Sequence, residues 1–443
     1  MAEGAALDRG NTLSHARVLK IAFPVVLSSA TVPILGAVDT GVVGQLGLAA
    51  PIGAVGIGAI ILSALYWMFG FLRMGTAGLT SQAIGAGDKA EVSALLMRVL
   101  MIGGTAGLAI ILLQIPLFWM AFQFSPASAE VETMARSYMH IRIWSAPAAI
   151  AIYGITGWLV AQERTRAVFV VQFWMNGLNV VLDLWFVLGL GWGIEGVAIA
   201  TLLAETSGTL LGLWLCRNGL LGGAWRDWAR VFDADALRHM ASVNSDILLR
   251  SLMLQGIFVS FLFLGARFGD VKLAANQVLL QFLEITAYSM GGFALAAETL
   301  VGQALGGKAR MRLRQAALLT SFWGAVVAIL MAFVFAVWGG DIIDIMTTSP
   351  EVRSEARLYL PYMVLSPLVG LGAWMLDGIF VGATRGRDMR NMMFLSLVVY
   401  LLALLALIPF FGNHGLWMAL LISFIARGVT LGMRYPALEA LAD

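Results

Sequence analysis

One apolar pattern is written twice along this chain. A shift of 221 positions, the interval from Gly44 to Gly265, brings the two halves into register. Ala54 then meets Ala275, Gly70 meets Gly291, Gln82 meets Gln303 and Glu130 meets Glu351. Arg136 meets Arg357, Tyr138 meets Tyr359, Gly157 meets Gly378, and Arg164 and Arg166 meet Arg385 and Arg387. Only 12% of residues are charged, 60% are hydrophobic, and the mean hydropathy is +0.86. A soluble domain carries roughly a quarter charged residues, so each half is expected to be a bundle of membrane helices. Duplication of this kind is typical of secondary transporters, whose two halves rock about a central site. The chemistry is expected where the two copies cease to match.

Apolar runs between polar punctuation place spans at 16–38, 51–76, 92–121, 132–161, 168–189 and 194–216. The second half follows at 239–266, 273–300, 314–338, 353–383, 391–411 and 415–435. Runs of about 20 residues suffice to cross a hydrocarbon core of roughly 30 Å. The expected fold is therefore an all-α polytopic membrane protein of twelve transmembrane helices in two pseudo-symmetric six-helix bundles. The N-terminal lobe takes 14–216 and the C-terminal lobe 239–436, joined by a linker over 217–238. An even number of spans per half makes the repeat parallel, related by an axis along the membrane normal. Residues 1–13 are polar and no small-residue cleavage site follows the first apolar run, so that run is expected to be retained as a span. Cys216 is the sole cysteine and can form no disulfide within the chain.

Lys and Arg concentrate on one set of helix ends: Arg9, Arg17, Lys20, Lys89, Arg164, Arg166, Arg217, Arg226, Arg230 and Arg238, then Lys308, Arg310, Arg312, Arg314, Arg385, Arg387, Arg390 and Arg434. The opposite connections at 39–50, 122–131, 190–193 and 412–414 have none, with Arg136, Arg142, Arg267, Lys272, Arg353 and Arg357 as exceptions on that side. The bias predicts that both termini and the linker are cytoplasmic. Within the linker, the stretch from Trp225 to Leu237 reads either as an amphipathic surface helix or as a solvated connector.

A carboxylate inside a bilayer costs roughly 2.5–3.5 kcal/mol on insertion scales, so one that persists there needs a partner or a purpose. The first half holds Asp39 at the end of span one, Asn176, Asn179 and Asp183 in span five, and Thr201 in span six. Asn179 and Asp183 are four apart and share a helical face. If spans one, five and six meet, their side chains form a pocket of oxygens suited to a proton or to a small hard cation. Adding 221 takes Asp39 to Ser260, Asn179 to Tyr400, Asp183 to Leu404 and Thr201 to Ile422, so the second copy has lost every acid of the cluster. A purely structural requirement would have left traces in both copies; the plain alternative is that Asn179 and Asp183 only bond neighbouring helices.

Glu205, Gln255, Glu284, Glu298 and Asp377 also lie in or near spans. Asp246 and Arg250 are four apart and are expected to neutralise one another, while Arg427 is expected to snorkel or pair. The four histidines, His15, His140, His239 and His414, form no metal-ligand pattern. Pro24 and Pro33 in span one remove backbone donors and can kink a helix that ends at an ionisable Asp39.

These residues resemble the multidrug and toxic compound extrusion (MATE) family, in its DinF-type branch. Ile21-Ala22-Phe23-Pro24 followed by Val38-Asp39-Thr40 is similar to the family's first helix, and Gln82 to Asp88 and Gln303 to Gly307 to its repeated loops. Leu376 to Thr384, continued by Met389-Arg390-Asn391, resembles the branch's most specific signature, and Asn276 to Glu298 fits its eighth helix, except that Gly291-Gly292 stands where the branch often has Asp-Gly. The resemblance implies a V-shaped pair of lobes that export organic cations and drugs against an inward proton or sodium gradient. It also implies ion coupling at Asp39, Asn179, Asp183 and Thr201, which is equally where sodium would bind, with Tyr138 as a further polar position and Pro24 as the bending point of the first helix.

The expected function is a cation-coupled multidrug efflux antiporter, proton rather than sodium, working by alternating access in the cytoplasmic membrane of a prokaryote, with no cofactor. Its expected partners are small organic cations or drugs and the lipid bilayer, with no nucleic acid, and the chain is expected to act as a monomer. Two other readings remain. A lipid-linked oligosaccharide flippase of the same superfamily would need a cationic cavity, against which the few intramembrane Arg residues argue. A polytopic membrane enzyme would need a catalytic pair or metal set near an interface, and none is visible.

Overall fold

The computed structural model describes the backbone of residues 13–44, 49–123, 128–221 and 223–443; side chains at 30–41, 43–44 and 49 lie outside that description. Regular structure among the described residues is helical throughout: α1 His15–Gly44, α2 Ala49–Trp67, α3 Phe71–Gly85, α4 Lys89–Leu112, α5 Gln114–Gln123, α6 Ala129–Arg142, α7 Ala146–Ala161 and α8 Thr165–Asp183. There follow α9 Gly193–Leu215, α10 Arg217–Leu221, α11 Trp228–Val231, α12 Ala234–Ala266, α13 Asp270–Gly306, α14 Arg310–Met346, α15 Pro350–Gly382, α16 Gly386–Phe411 and α17 Asn413–Glu439. Eleven helical stretches among the described residues are long and apolar enough to cross a membrane. With α1, which contains the first apolar run, they match the twelve expected spans one for one.

Helix ends run past the apolar runs. The 37 residues of α14 make a helix of about 55 Å at 1.5 Å per residue, well beyond the 314–338 run. Hydropathy marks only the part that lipid surrounds, whereas the backbone ladder continues into the polar zone. For the same reason α12 begins at Ala234, inside the segment read as linker. The stretch from Trp225 to Leu237 is not one helix: α11 ends at Val231 and a break at Phe232 and Asp233 separates it from α12. Arg98 fastens this segment to α4, donating from Nε to the Val231 carbonyl at 2.9 Å and from Nη2 to that of Arg230 at 2.6 Å. Arg230 reaches back to Asp88 at 3.0 Å.

The backbone itself carries the repeat. Glu163 and Thr384, equivalent under the 221 shift, both take positive φ, at 59° and 52°. So do Gly87 and Lys308, at 74° and 48°, and Gly191 and Gly412, at 71° and 54°. Ser128 and Ser349 cap α6 and α15 in the same way, each accepting from the amide three residues on. The copies differ in regularity. The first half breaks between α2 and α3, between α4 and α5, and again between α6 and α7, where the second half runs unbroken as α13, α14 and α15. Pro116 and Pro147 stand beside two of those breaks, with Val337 and Leu368 as counterparts, but proline alone does not set them, because α15 runs unbroken through Pro361 and Pro367.

The described chain divides into two compact units. One comprises 27–80 and 88–237; the other comprises 1–26, 81–87 and 238–443. In the first unit, Leu62, Phe118, Tyr138, Met139 and Ile150 form the main core. In the second, Phe261, Phe282, Phe335, Tyr359, Tyr400 and Trp417 do so. Small residues set the closest helix approaches. A methyl on Gly157 would stand 2.3 Å from the Arg73 carbonyl oxygen, and one on its counterpart Gly378 would stand 2.3 Å from that of Ala294, itself the counterpart of Arg73. Inside the second unit, the segment 81–87 meets the end of α13 reciprocally. Gly306 abuts the Gln82 carbonyl and Gly85 that of Gln303, each with 2.0 Å to a built Cβ. Since 82 and 303, and 85 and 306, are equivalent positions, this junction is isologous, a local pseudo-twofold.

Candidate ion-binding site

Asn179 and Asp183 lie one turn apart near the end of α8, and Thr201 faces them from α9. Asn179 donates from Nδ2 to Asp183 Oδ2 at 2.7 Å. The Thr201 hydroxyl lies 3.0 Å from the Val197 carbonyl and 3.5 Å from Asn179 Oδ1. Asp183 is 0% exposed, Asn179 2% and Thr201 8%, so the acid is held away from solvent by neighbouring helices as well as by its own turn. Asn176 is half-buried on the same helix.

Two local features bring these groups together. On α9, Gly208 has its Cβ position 2.0 Å from Met175 Cγ, so α8 approaches α9 where a side chain would obstruct it, and Gly196 gives Phe186 similar access. Their second-half counterparts are Val429 and Trp417, and α17 instead approaches α16 at Gly415, whose Cβ position lies 2.5 Å from the Leu407 carbonyl oxygen. Directly after Asp183, α8 loosens into a π turn over Leu184–Gly189, whereas α16 continues as α-helix through the equivalent positions. Such π turns recur at functional sites because they re-aim side chains within a helix.

Tyr138 lies in a neighbouring polar cluster. Its hydroxyl accepts from Arg142 Nη1 at 3.0 Å, and Arg142 Nη2 donates to Glu205 at 2.8 Å. The Tyr66 and Ser145 hydroxyls both donate to the Arg142 carbonyl, at 3.4 and 2.8 Å. Glu205 is one turn beyond Thr201 on α9, so that helix presents the hydroxyl that faces the acid–amide pair and the carboxylate that pairs with Arg142 on successive turns. The sequence alone singled out neither Arg142 nor Glu205 as site residues. Their signal was two opposite charges in spans of low charge density, but 63 residues separate them. The Asp39 side chain lies outside the described residues; Pro24 sits in α1, partly exposed, and α1 continues through it as helix.

The second half answers with neutral or paired groups. Tyr400 and Leu404, which replace Asn179 and Asp183, are buried in the core. Ser260, which replaces Asp39, donates to the Tyr400 hydroxyl at 3.2 Å. One expectation is corrected in this half. Asp246 and Arg250 do not neutralise one another: Arg390 takes Asp246 at 2.6 Å, and Arg250 donates to Asp377. Of the two readings of Arg427, it pairs rather than snorkels: it is buried, 3.8 Å from Asp377. Both partners come from remote helices, which four-residue spacing along one helix cannot register. Among the described residues, no three His, Cys, Asp or Glu side chains converge as a metal site would require.

A parallel-duplicated bundle of membrane helices, with the hydrogen-bonded Asn179–Asp183 pair in one copy only, has the architecture of a secondary transporter. The MatE family model matches the chain twice, over 24–185 and 247–406. The chain is 38% identical to DNA damage-inducible protein F of Escherichia coli (strain K12) over 95% of its own length and 92% of that protein's. It is 22% identical to a probable multidrug resistance protein NorM of Pasteurella multocida (strain Pm70), over 96% of this chain and 95% of that one. In fold it is similar to a crystal structure of the Vibrio cholerae MATE transporter VcmN in the bent form, with a TM-score of 0.87, 21% identity, and 100% and 99% of the two chains covered. The chain belongs to the MatE family, in its DinF-type branch, and is a polytopic efflux transporter of multidrug and toxic compound extrusion type.

Proposed function

We propose that this transporter is a cation-coupled antiporter, driven by protons rather than sodium, that exports organic cationic or amphipathic compounds. The N-terminal lobe over 14–216 would hold the coupling site and alternate access with the 239–436 lobe, the 217–238 linker lying in the cytoplasm with both termini. The carrying observation is the asymmetry of the buried set. Asn179, Asp183 and Thr201 are sequestered in one copy, and Tyr400, Leu404 and Ile422 replace them in the other. The Ser260–Tyr400 hydrogen bond supports including Asp39, since it joins the positions equivalent to Asp39 and Asn179. A carboxyl withdrawn from water holds its proton more readily, and binding or releasing it changes the charge of the lobe. Asn179 turns its N–H toward the carboxylate. That suits an acid–amide pair, whereas sodium needs converging oxygens. A bound proton can drive exchange only through its different affinity for the two access states. The names of the NorM relatives support the substrate class.

The test is drug and ion flux measured in the same proteoliposomes, with proton and sodium gradients imposed separately. Asp39→Asn and Asp183→Asn should be made and inserted normally yet lose gradient-driven export. Ser260→Ala and Leu404→Ala should keep coupling. Export at wild-type rates by both Asn variants would show the cluster to be structural, and export driven by sodium alone would exclude the proton. Lipid scrambling in these vesicles would instead favour the flippase reading. Impermeant labels reaching the N-terminus and the linker from outside intact cells would reverse the orientation.

A further inference from the structure

The second half has its own buried charge cluster, of opposite sign to the first. Arg250 on α12, Asp377 on α15 and Arg427 on α17 converge: Arg250 donates through Nη2 to Asp377 Oδ2, and Arg427 Nε lies 3.8 Å from the same oxygen. All three are buried, with 8%, 7% and 3% of their surface exposed. The charged groups acting on Arg427 are Asp377 and Arg250. Asp246, the next acid along α12, is already taken by Arg390. Two guanidinium groups therefore share one carboxylate, which leaves one positive charge uncompensated. Arginine cannot discard that charge by releasing a proton, and a buried charge without a counter-charge is costly.

The unsatisfied donors point the same way. Arg250 Nε, Arg427 Nε and Arg427 Nη1 are buried and have no hydrogen-bond partner. The Arg427 guanidinium lies 5.8 Å from the Phe424 ring centroid, and Gly428 beside it packs against Gly372 and Ala373, so α15 and α17 cross closely here. Three N–H donors in a small apolar surround suit a compact monovalent anion, not a cation. The first-half counterparts are Ser29, Thr156 and Thr206, all neutral. Each copy thus carries a charged cluster that the other has lost.

We propose that Arg250 and Arg427 form a binding site for one small anionic group, either chloride or the carboxylate of an organic anion. This site is separate from the coupling cluster and does not depend on its assignment. Its occupant completes the charge balance of the second half, so the protein should be most stable when the anion is present.

The experiment uses the purified full-length chain in detergent at constant pH and ionic strength. Melting temperature is followed as sodium isethionate, a bulky control anion, is replaced by sodium chloride or by sodium acetate, and retention of radioactive chloride is measured in parallel. Wild-type protein should melt higher in chloride or acetate, with saturation. A response to chloride, with about one ion retained per chain, identifies an inorganic occupant, and a response to acetate alone identifies a carboxylate. Arg427→Met should melt in isethionate at least as high as wild type, because it removes the uncompensated charge, and should lose at least tenfold of the anion binding. Wild-type protein indifferent to both anions would overturn the proposal, without needing any variant to fold. Undiminished anion binding by Arg427→Met would overturn it too, by placing the site elsewhere.

Discussion

The reciprocal junction between residues 81–87 and the end of α13 offers the sharpest test of the fold. Gly306→Ala places a methyl carbon 2.0 Å from the Gln82 carbonyl oxygen, and Gly85→Ala places one 2.0 Å from that of Gln303. Carbon and oxygen at rest stay about 3.3 Å apart, so the two backbones must separate by roughly 1 Å, and no side chain can yield instead. Overpacking of this kind costs about 1–3 kcal/mol, against which alanine recovers at most about 0.5–1 kcal/mol over glycine. Each variant should therefore lose about 1–2 kcal/mol. One displacement relieves both clashes, so the double variant should lose less than the sum of the two. Gly104→Ala within α4 is the control, because a methyl there meets nothing within 4 Å, and it should gain about 0.5–1 kcal/mol. Melting temperature of the purified protein in detergent reads all four variants. If Gly306→Ala and Gly85→Ala melt with Gly104→Ala, at or above wild type, the close junction does not form.

Removing Arg142 alone leaves Glu205 buried without its partner, so Arg142→Met should cost about 3–5 kcal/mol, while adding Glu205→Met should restore most of that loss; a double variant no more stable than the single, by melting and membrane yield, would contradict the pairing. Between α3 and α4, the Asp88 carboxyl is held below the usual carboxylate range, first by the Glu91 backbone N–H that it caps and then, against some burial, by Arg230. A depressed acid stabilises the fold above its unfolded value near 3.9 and loses that contribution as pH falls through the lower folded value. Melting should therefore fall with pH in that acidic window for wild type, and Asp88→Asn should show a smaller drop there. The effect is small, since Asp88 and Arg230 are both more than a third exposed; identical pH profiles would remove Asp88 from the linker clasp.

The apolar runs and the 221-residue shift were enough to place every span, because lipid imposes hydrophobicity along a helix regardless of what packs beside it. The pairing of Asn179 with Asp183 was equally legible, since four-residue spacing puts two side chains on one face. What the sequence could not determine is which remote charge answers which. Arg142 finds Glu205, Arg250 finds Asp377 and Asp246 finds Arg390 across 63, 127 and 144 residues, and local spacing pointed instead to Asp246 with Arg250. The breaks in the first half and the π turn after Asp183 were likewise invisible, since a helix and its interrupted version share one apolar pattern. Tertiary packing decided these points: inside a membrane a buried charge is stable only beside the partner that the folded helices deliver, and that partner has no fixed distance along the chain.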